Sequence, residues 1–164
     1  MLYEIKIKVT SPWLGDKKGV DQVRRFQKRT LDDGAEGFSI DLPYWCWALG
    51  EAIDALHIGN ILIVDHVRVE DAIKKPTLVL HNRRWYDKVG KPKTEMFESI
   101  RENTTLNFKL VVTKAQLLGN ALTVSVTKAE IMSIFNFIGK YIGLSPWGNK
   151  FGYGRFRVVE VVEL

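Results

Sequence analysis

Thr127-Lys128-Ala129-Glu130-Ile131-Met132-Ser133-Ile134-Phe135-Asn136-Phe137-Ile138-Gly139-Lys140-Tyr141-Ile142 is followed by a turn carrying four glycines and then by Arg155-Phe156-Arg157-Val158-Val159-Glu160-Val161-Val162-Glu163. The first stretch reads as a helix. Thr127 as N-cap and Glu130 three residues on form a capping box, each side chain satisfying an N–H that the first turn leaves without a partner. Ile131, Phe135, Ile138 and Ile142 then recur on one side as an apolar stripe, and Gly143 supplies the stop. Residues 155–163 alternate well enough for a closing strand. Between them, Gly143 to Gly154 forms a turn that interleaves Trp147, Phe151 and Tyr153 with Lys150, and Phe156, Arg155 and Arg157 follow. Glycines let the backbone take positive φ, aromatic faces stack on bases, and cations meet phosphates. The competing reading is a plain helix-to-strand connection whose aromatics cap the core.

Outward from this stretch the chain reads as one domain over residues 1–164. Tyr3, Ile5, Ile7 and Val9 share one face of a first strand, with Glu4, Lys6 and Lys8 opposite. Ser11 to Gly37 has no sustained period and reads as a long mobile connection rich in Lys17, Lys18, Arg24, Arg25, Lys28 and Arg29, either a binding loop or a solvated loop with a short hairpin. Asp41 and Pro43 announce a helix carrying Trp45, Leu49, Ile53 and Leu56 on one side, ended by Gly59. Strands are expected over 61–69, 77–85, 106–113 and 121–126, with a turn at Gly119-Asn120. Residues 95–100 fit a short strand or helix equally. Two helices set among strands predict an α+β fold: a ferredoxin-like (RRM-like) antiparallel sheet with both helices on one face, elaborated by loops.

Charge and composition narrow the function classes. A net charge of +5 and a pI near 9.3 favour a polyanionic partner. No apolar run is long enough to span a bilayer, and the polar–apolar alternation of residues 2–10 is unlike a secretory signal. Lone Cys46, between Trp45 and Trp47, cannot form an internal disulfide and reads as a small buried hydrophobe of a cytoplasmic protein. Glu51, Asp54 and His57 share a rough side of the first helix and read as a solvated edge, not a metal site. His66 and His81 follow no zinc spacing, and Asp32-Asp33 is a weak candidate for a carboxylate pair. Neither a nucleophile elbow nor a phosphate-binding or dinucleotide loop is present. No cofactor, no metal and no catalytic residue are therefore expected. A second basic-aromatic cluster lies at Asn82-Arg83-Arg84-Trp85-Tyr86, where strand parity sends Arg83 and Arg84 to opposite faces. Trp85 there is core edge or stacking platform.

The glycine-rich loop ending Phe151-Gly152-Tyr153-Gly154-Arg155-Phe156, between a helix and a last strand, resembles the RAMP superfamily, the RNA-binding proteins of CRISPR systems. That resemblance covers roughly residues 121–164 and, more loosely, the first strand. It implies a ferredoxin-like fold and RNA contact at the loop, around Lys150, Tyr153, Arg155 and Arg157. Endoribonucleases of the superfamily commonly use a histidine near the first helix, whereas His57 stands at that helix's far end. The layout, including Pro43-Tyr44-Trp45 and Asn82-Arg83-Arg84-Trp85, is also similar to small proteins of tailed bacteriophages.

These readings combine into one expectation: non-catalytic binding of single-stranded RNA or DNA. Basic residues of the 15–37 segment and Arg84 would follow phosphates, while Phe151, Tyr153 or Trp147 stack on bases. The alternatives are a phage protein-interaction module, either an inhibitor of a bacterial defence complex or a virion component, and a RAMP-like endoribonuclease. Self-association or a protein complex is open under each.

Overall fold

The computed structural model describes residues 2–18, 21–31, 33–39, 42–57, 67–69, 72–74, 76–112, 115–117, 120–124, 127–145 and 151–164. Asp32, Asp41, Gly59, residues 61–66 with His66, Gly119, Trp147 and Lys150 lie outside them, as do the side chains of Pro43, Trp45 and Cys46.

The elements run β1 (Leu2–Val9), β2 (Trp13–Leu14), β3 (Lys17–Lys18), β4 (Val23–Arg25), β5 (Gln27–Thr30), β6 (Glu36–Ser39), α1 (Leu42–Leu56), β7 (Val67–Val69), β8 (Ala72–Lys74), β9 (Leu78–Tyr86) and β10 (Pro92–Ile100). There follow β11 (Thr105–Val112), β12 (Ala115–Leu117), β13 (Asn120–Val124), α2 (Lys128–Phe137), a π-helical turn (Ile138–Ile142) and β14 (Phe156–Glu163). Among the described residues the result is a mixed α and β fold with two α-helices and mainly antiparallel sheets.

The main sheet has the order β14-β1-β11-β7, every pairing antiparallel. Strict alternation on β1 buries Tyr3, Ile5, Ile7 and Val9 on one face. Opposite them in register, β11 buries Phe108 and Leu110, and β14 buries Val158 and Val161. A β-bulge leaves Val159 without an opposite residue, since Lys6 pairs with Glu160 and Ile7 with Val158.

Both helices contribute to the same core. α1 buries Ala48, Leu49, Ala52 and Ile53, while Glu51, Asp54 and His57 stay exposed, so that trio is a solvated edge. The capping box at Thr127 forms as read: Glu130 N–H donates to Thr127 Oγ1, and Thr127 N–H donates to Glu130 Oε2. Ile131, Phe135, Ile138 and Ile142 are all buried. The helix nevertheless changes pitch at Ile138, where the π-helical turn ends with Gly143 N–H donating to the Ile138 carbonyl. Gly139 lies against Phe156, and a Cβ there would collide with the Phe156 carbonyl. This close approach of helix to strand is the structural demand at the change of pitch.

The long connection is in part the short hairpin of the alternative reading, since β3 pairs with β4 and β5 with β6 antiparallel, but as an irregular loop it is the main correction. Residues 13–30 instead form β2, β3, β4 and β5, with β6 starting just beyond. Short two- to four-residue strands, interrupted by glycines and ion pairs, show no period that a sequence reading can detect. They build a second sheet of order β2-β10-β4-β3, extended by β9 pairing with β10, and a third of order β5-β6-β8; β12 pairs with β13. Residues 95–100 belong to the nine-residue strand β10, whose β4 pairing is parallel. Trp13 joins the layers. Its ring stands edge-on to Phe38 of the third sheet at 6.5 Å and to Phe108 of the main sheet at 6.2 Å.

Candidate nucleic-acid interface

The glycine-rich loop is fastened before it can bind anything. Gly154 N–H donates to the Pro12 carbonyl, and Leu144 N–H to the Gly154 carbonyl. Ser11 Oγ donates to the Gly152 carbonyl at 2.6 Å and accepts from Arg155 N–H at 2.9 Å. Ser145 Oγ accepts from Leu14 N–H at 2.8 Å. Gly154 has φ of +68° and sits against Ser145, so only glycine fits there. These bonds stitch the loop to residues 11–14 and lay it across one face of the second sheet.

Register tells which side chains share that face. β9 pairs with β10 so that Arg83 opposes Glu95, His81 opposes Phe97 and Trp85 opposes Lys93. On the other side of β10, Phe97 pairs with Arg24 of β4, and Arg24 with Lys18 of β3. Lys18, Arg24, Arg83, His81, Trp85, Lys93 and Glu95 therefore line one face, spread over four strands and roughly 14 Å. The alternate residues Leu80, Asn82, Arg84 and Tyr86 point the opposite way and are exposed.

The loop's aromatics land at the β9 end of this face. The Phe151 ring lies over the Arg83 guanidinium at 4.7 Å, and Trp85 lies on another side of that group at 5.9 Å. Arg83 is only 7% exposed, while Phe151 is 57% exposed. A guanidinium against two π faces is a cation–π arrangement that tolerates burial because the rings supply the counter-field. Tyr153 meets His81 edge-on at 5.5 Å, with its hydroxyl 3.3 Å from Nε2. Glu95 pairs with Arg24 at 3.6 Å. Polar atoms of the cluster, Trp85 Nε1 and Glu95 Oε2 among them, are shut from solvent without a hydrogen-bond partner.

The cations expected at the interface divide accordingly. Lys17, Lys18, Lys28, Arg84 and Arg157 are exposed, Lys28 with Glu36 at 4.0 Å, and Arg29 is exposed on β5. Arg24 and Arg25 are committed to ion pairs: Arg24 with Asp16 and Glu95, Arg25 with Asp21 at 2.5 Å and Glu98 at 3.1 Å. The Asp21 carboxyl is held below the ordinary carboxylate range by its hydrogen bond to Arg25, whose own value is raised by the same contact. Arg84 does not join the loop. Arg83, its buried neighbour, does, and the parity of β9 separates the two as the sequence implied. Arg155 and Arg157 have the same parity on the last strand, which would set them on one face of the main sheet. Arg157 is exposed opposite Lys8, but the Arg155 guanidinium donates instead to the Lys140 carbonyl at the end of the helix.

That open face has another character. It carries Glu4, Lys6, Lys8, Thr105, Asn107, Lys109, Arg157, Glu160 and Val162, with Lys6 and Glu160 paired at 3.3 Å. Among the described residues it has no aromatic on which a base could stack. Residues missed by the sequence reading are thus Arg83 and His81 as partners of the loop. Nothing in the sequence states where the glycine-rich turn lands, and that contact alone singles them out. Among the described residues no group of three His, Cys, Asp or Glu could hold a metal, and no helix is long and apolar enough to cross a membrane.

No family model matches the chain, and no curated protein matches its sequence. Among solved structures, it is similar to a chain in the cryo-EM structure of the Type III-B Cmr-beta bound to cognate target RNA, at a TM-score of 0.57 and 14% identity. The match takes in 98% of this chain and spans 59% of the length of that one. At this identity the likeness is one of fold.

Proposed function

We propose that this protein binds single-stranded nucleic acid, RNA first, without catalysing a reaction. The observation that carries the reading is the Phe151 ring, more than half exposed, held over a guanidinium on a face that also presents Lys18 and Lys93. An exposed aromatic offers a base a stacking surface, and nearby cations follow the phosphates. The choice of RNA leans on the fold likeness to a chain from an RNA-bound structure. The main sheet supports a ferredoxin-like reading of the core, RAMP-like in outline. Its first strand lies between the last strand and β11, with one helix after β1 and the other between β11 and β14. On this reading Lys17, Lys18, Lys28 and Arg29 extend the track, now as part of short strands, and the protein works in the cytoplasm. The bacteriophage resemblance rests on sequence layout alone.

Fluorescence anisotropy with single-stranded RNA, single-stranded DNA and duplex at two salt concentrations tests the proposal. Binding should weaken steeply with salt, because phosphate contacts release counterions. Phe151→Ala should cost about tenfold in affinity, the value of one stacked base. If micromolar protein leaves RNA and DNA unbound at low salt, the protein-interaction alternative replaces this one.

A further inference from the structure

The loop-covered face contains more than a stacking surface. Trp85 Nε1 is a donor with nothing to give its proton to, and Glu95 Oε2 is an acceptor with nothing to accept. Buried polar atoms without partners are rare in folded proteins and ask for an explanation. Here the two are of opposite type and near each other. Trp85 opposes Lys93 and Glu95 opposes Arg83, which makes Trp85 and Glu95 diagonal neighbours on one face of the hairpin. The Arg83 guanidinium lies 5.9 Å from the Trp85 ring and 4.7 Å from the Phe151 ring, and Arg83 stands opposite Glu95 across the two strands.

We propose that these two atoms read the edge of one unpaired base, and that the base is guanine. The inference rests on the single-strand-binding reading above and adds a specificity to it. The Phe151 ring swings outward and stacks on the far face of the base, which enters between that ring and the Arg83 guanidinium. One π face replaces another, so the guanidinium keeps its partner. Phe151 is 57% exposed, so its ring has solvent to move into. The Trp85 indole N–H then donates to a base carbonyl, and the Glu95 carboxylate accepts from base N–H groups. Every base offers an acceptor beside a donor. Guanine alone presents a carbonyl followed by two adjacent N–H donors, N1–H and the exocyclic amine, on its Watson–Crick edge. Adenine and cytosine would instead turn a ring-nitrogen lone pair toward the carboxylate. With Arg24 engaging Oε1, the Oε2 atom is the oxygen left for the base.

Uridine octamers carrying guanosine, inosine or adenosine at one central position provide the test, read by anisotropy at constant salt. The guanosine octamer should bind about tenfold more tightly than the all-uridine one, the discrimination expected of a good two-bond base contact. Inosine, which lacks the exocyclic amine, should lose most of that gain. Trp85→Phe keeps the ring and removes the donor, and Glu95→Gln removes the charge. Each should bring guanosine and uridine octamers to within about twofold while salt-dependent binding persists. Glu95→Gln also touches Arg24, so circular dichroism must show it folded; Trp85→Phe stands as the independent variant. Equal affinity of the parent protein for all four octamers overturns the inference and leaves the binding reading intact, with ordered water then the partner of both atoms. A guanosine preference that survives in both variants also overturns it. Failure to bind any octamer at low salt removes the underlying reading instead.

Discussion

The two sheet faces that this chain closes off are closed by different means. The inner face of the main sheet is covered by helices and is apolar throughout: Ile5, Ile7, Phe108 and Leu110 meet Ile131, Phe135 and Ile138. The corresponding face of the β9–β10 hairpin is covered by a glycine-rich loop and holds Arg83, Glu95, Trp85 and Ser99 beside Phe97, with Ser145 of the loop over Leu14. Apolar burial contributes about 25 cal/mol per Å² whatever the detail of the contacts. A polar enclosure contributes little net, because each buried group must first recover what it had in water, and an unmade hydrogen bond costs about 1–3 kcal/mol. Stability therefore belongs to the first face, and the proposed selectivity would draw on the second. A count of cations alone would point to the open main-sheet face, which is well supplied with lysines but has no ring beside them among the described residues.

The largest effect should come from breaking the helix-covered face. Ile138→Asp puts a charge among fully buried apolar groups, with a cost of about 4 kcal/mol. For a chain of this size that lowers Tm by on the order of 10 °C. Phe151→Ala, on the other face, should leave Tm within a degree or two while weakening RNA binding. Scanning calorimetry on both variants decides it, and similar losses of Tm would dissolve the contrast.

The difference between the faces also explains what the sequence could reveal. α2 was legible to the residue at its start because a capping box and a 3.6-residue stripe are local patterns. β1 was legible because strict alternation is local too. The π-helical turn was not, since Gly139 is set by how closely Phe156 approaches from β14. The short strands of residues 13–30 were read as loop because each is held by partners far along the chain, such as Val23 with Met96 and Trp13 with Ile100. For the same reason Arg84 was chosen over Arg83. Parity separates the two, but only the landing place of the loop says which one it meets.

An intermediate effect separates the two arginines at the end of the loop. Arg155 donates to the Lys140 carbonyl and so ties the loop's exit to the helix end, where a cation also favours the helix dipole. Arg155→Ala should cost about 1 kcal/mol, seen as a shift in the urea midpoint. Arg157 stands opposite Lys8, a like-charged pair that slightly opposes folding, so Arg157→Ala should leave stability unchanged or raise it a little. If Arg157→Ala removes RNA binding and Phe151→Ala does not, the open main-sheet face is the interface and the contrast is inverted.

The smallest effect lies at the rim of the second sheet, where Arg25 joins Asp21 and Glu98. Asp21 has its folded-state pKa lowered, first by the hydrogen bond from Arg25; desolvation opposes it next, and the Val23 N–H and the coulombic attraction of Arg25 add to the lowering. A depressed carboxylate contributes stability above its unfolded value of about 3.9 and loses it as pH falls through the folded one. Arg25 is raised in the opposite direction, beyond any pH at which the protein would be handled, so it adds no pH dependence. Asp21→Asn should therefore lower Tm slightly at neutral pH, and the two proteins should converge as pH falls below about 4. The pair is solvent-exposed, so the gap should also shrink in added salt. A gap that widens toward acid would mean that Asp21 is strained by its neighbours, and that this rim holds its charges for a partner instead of for the fold.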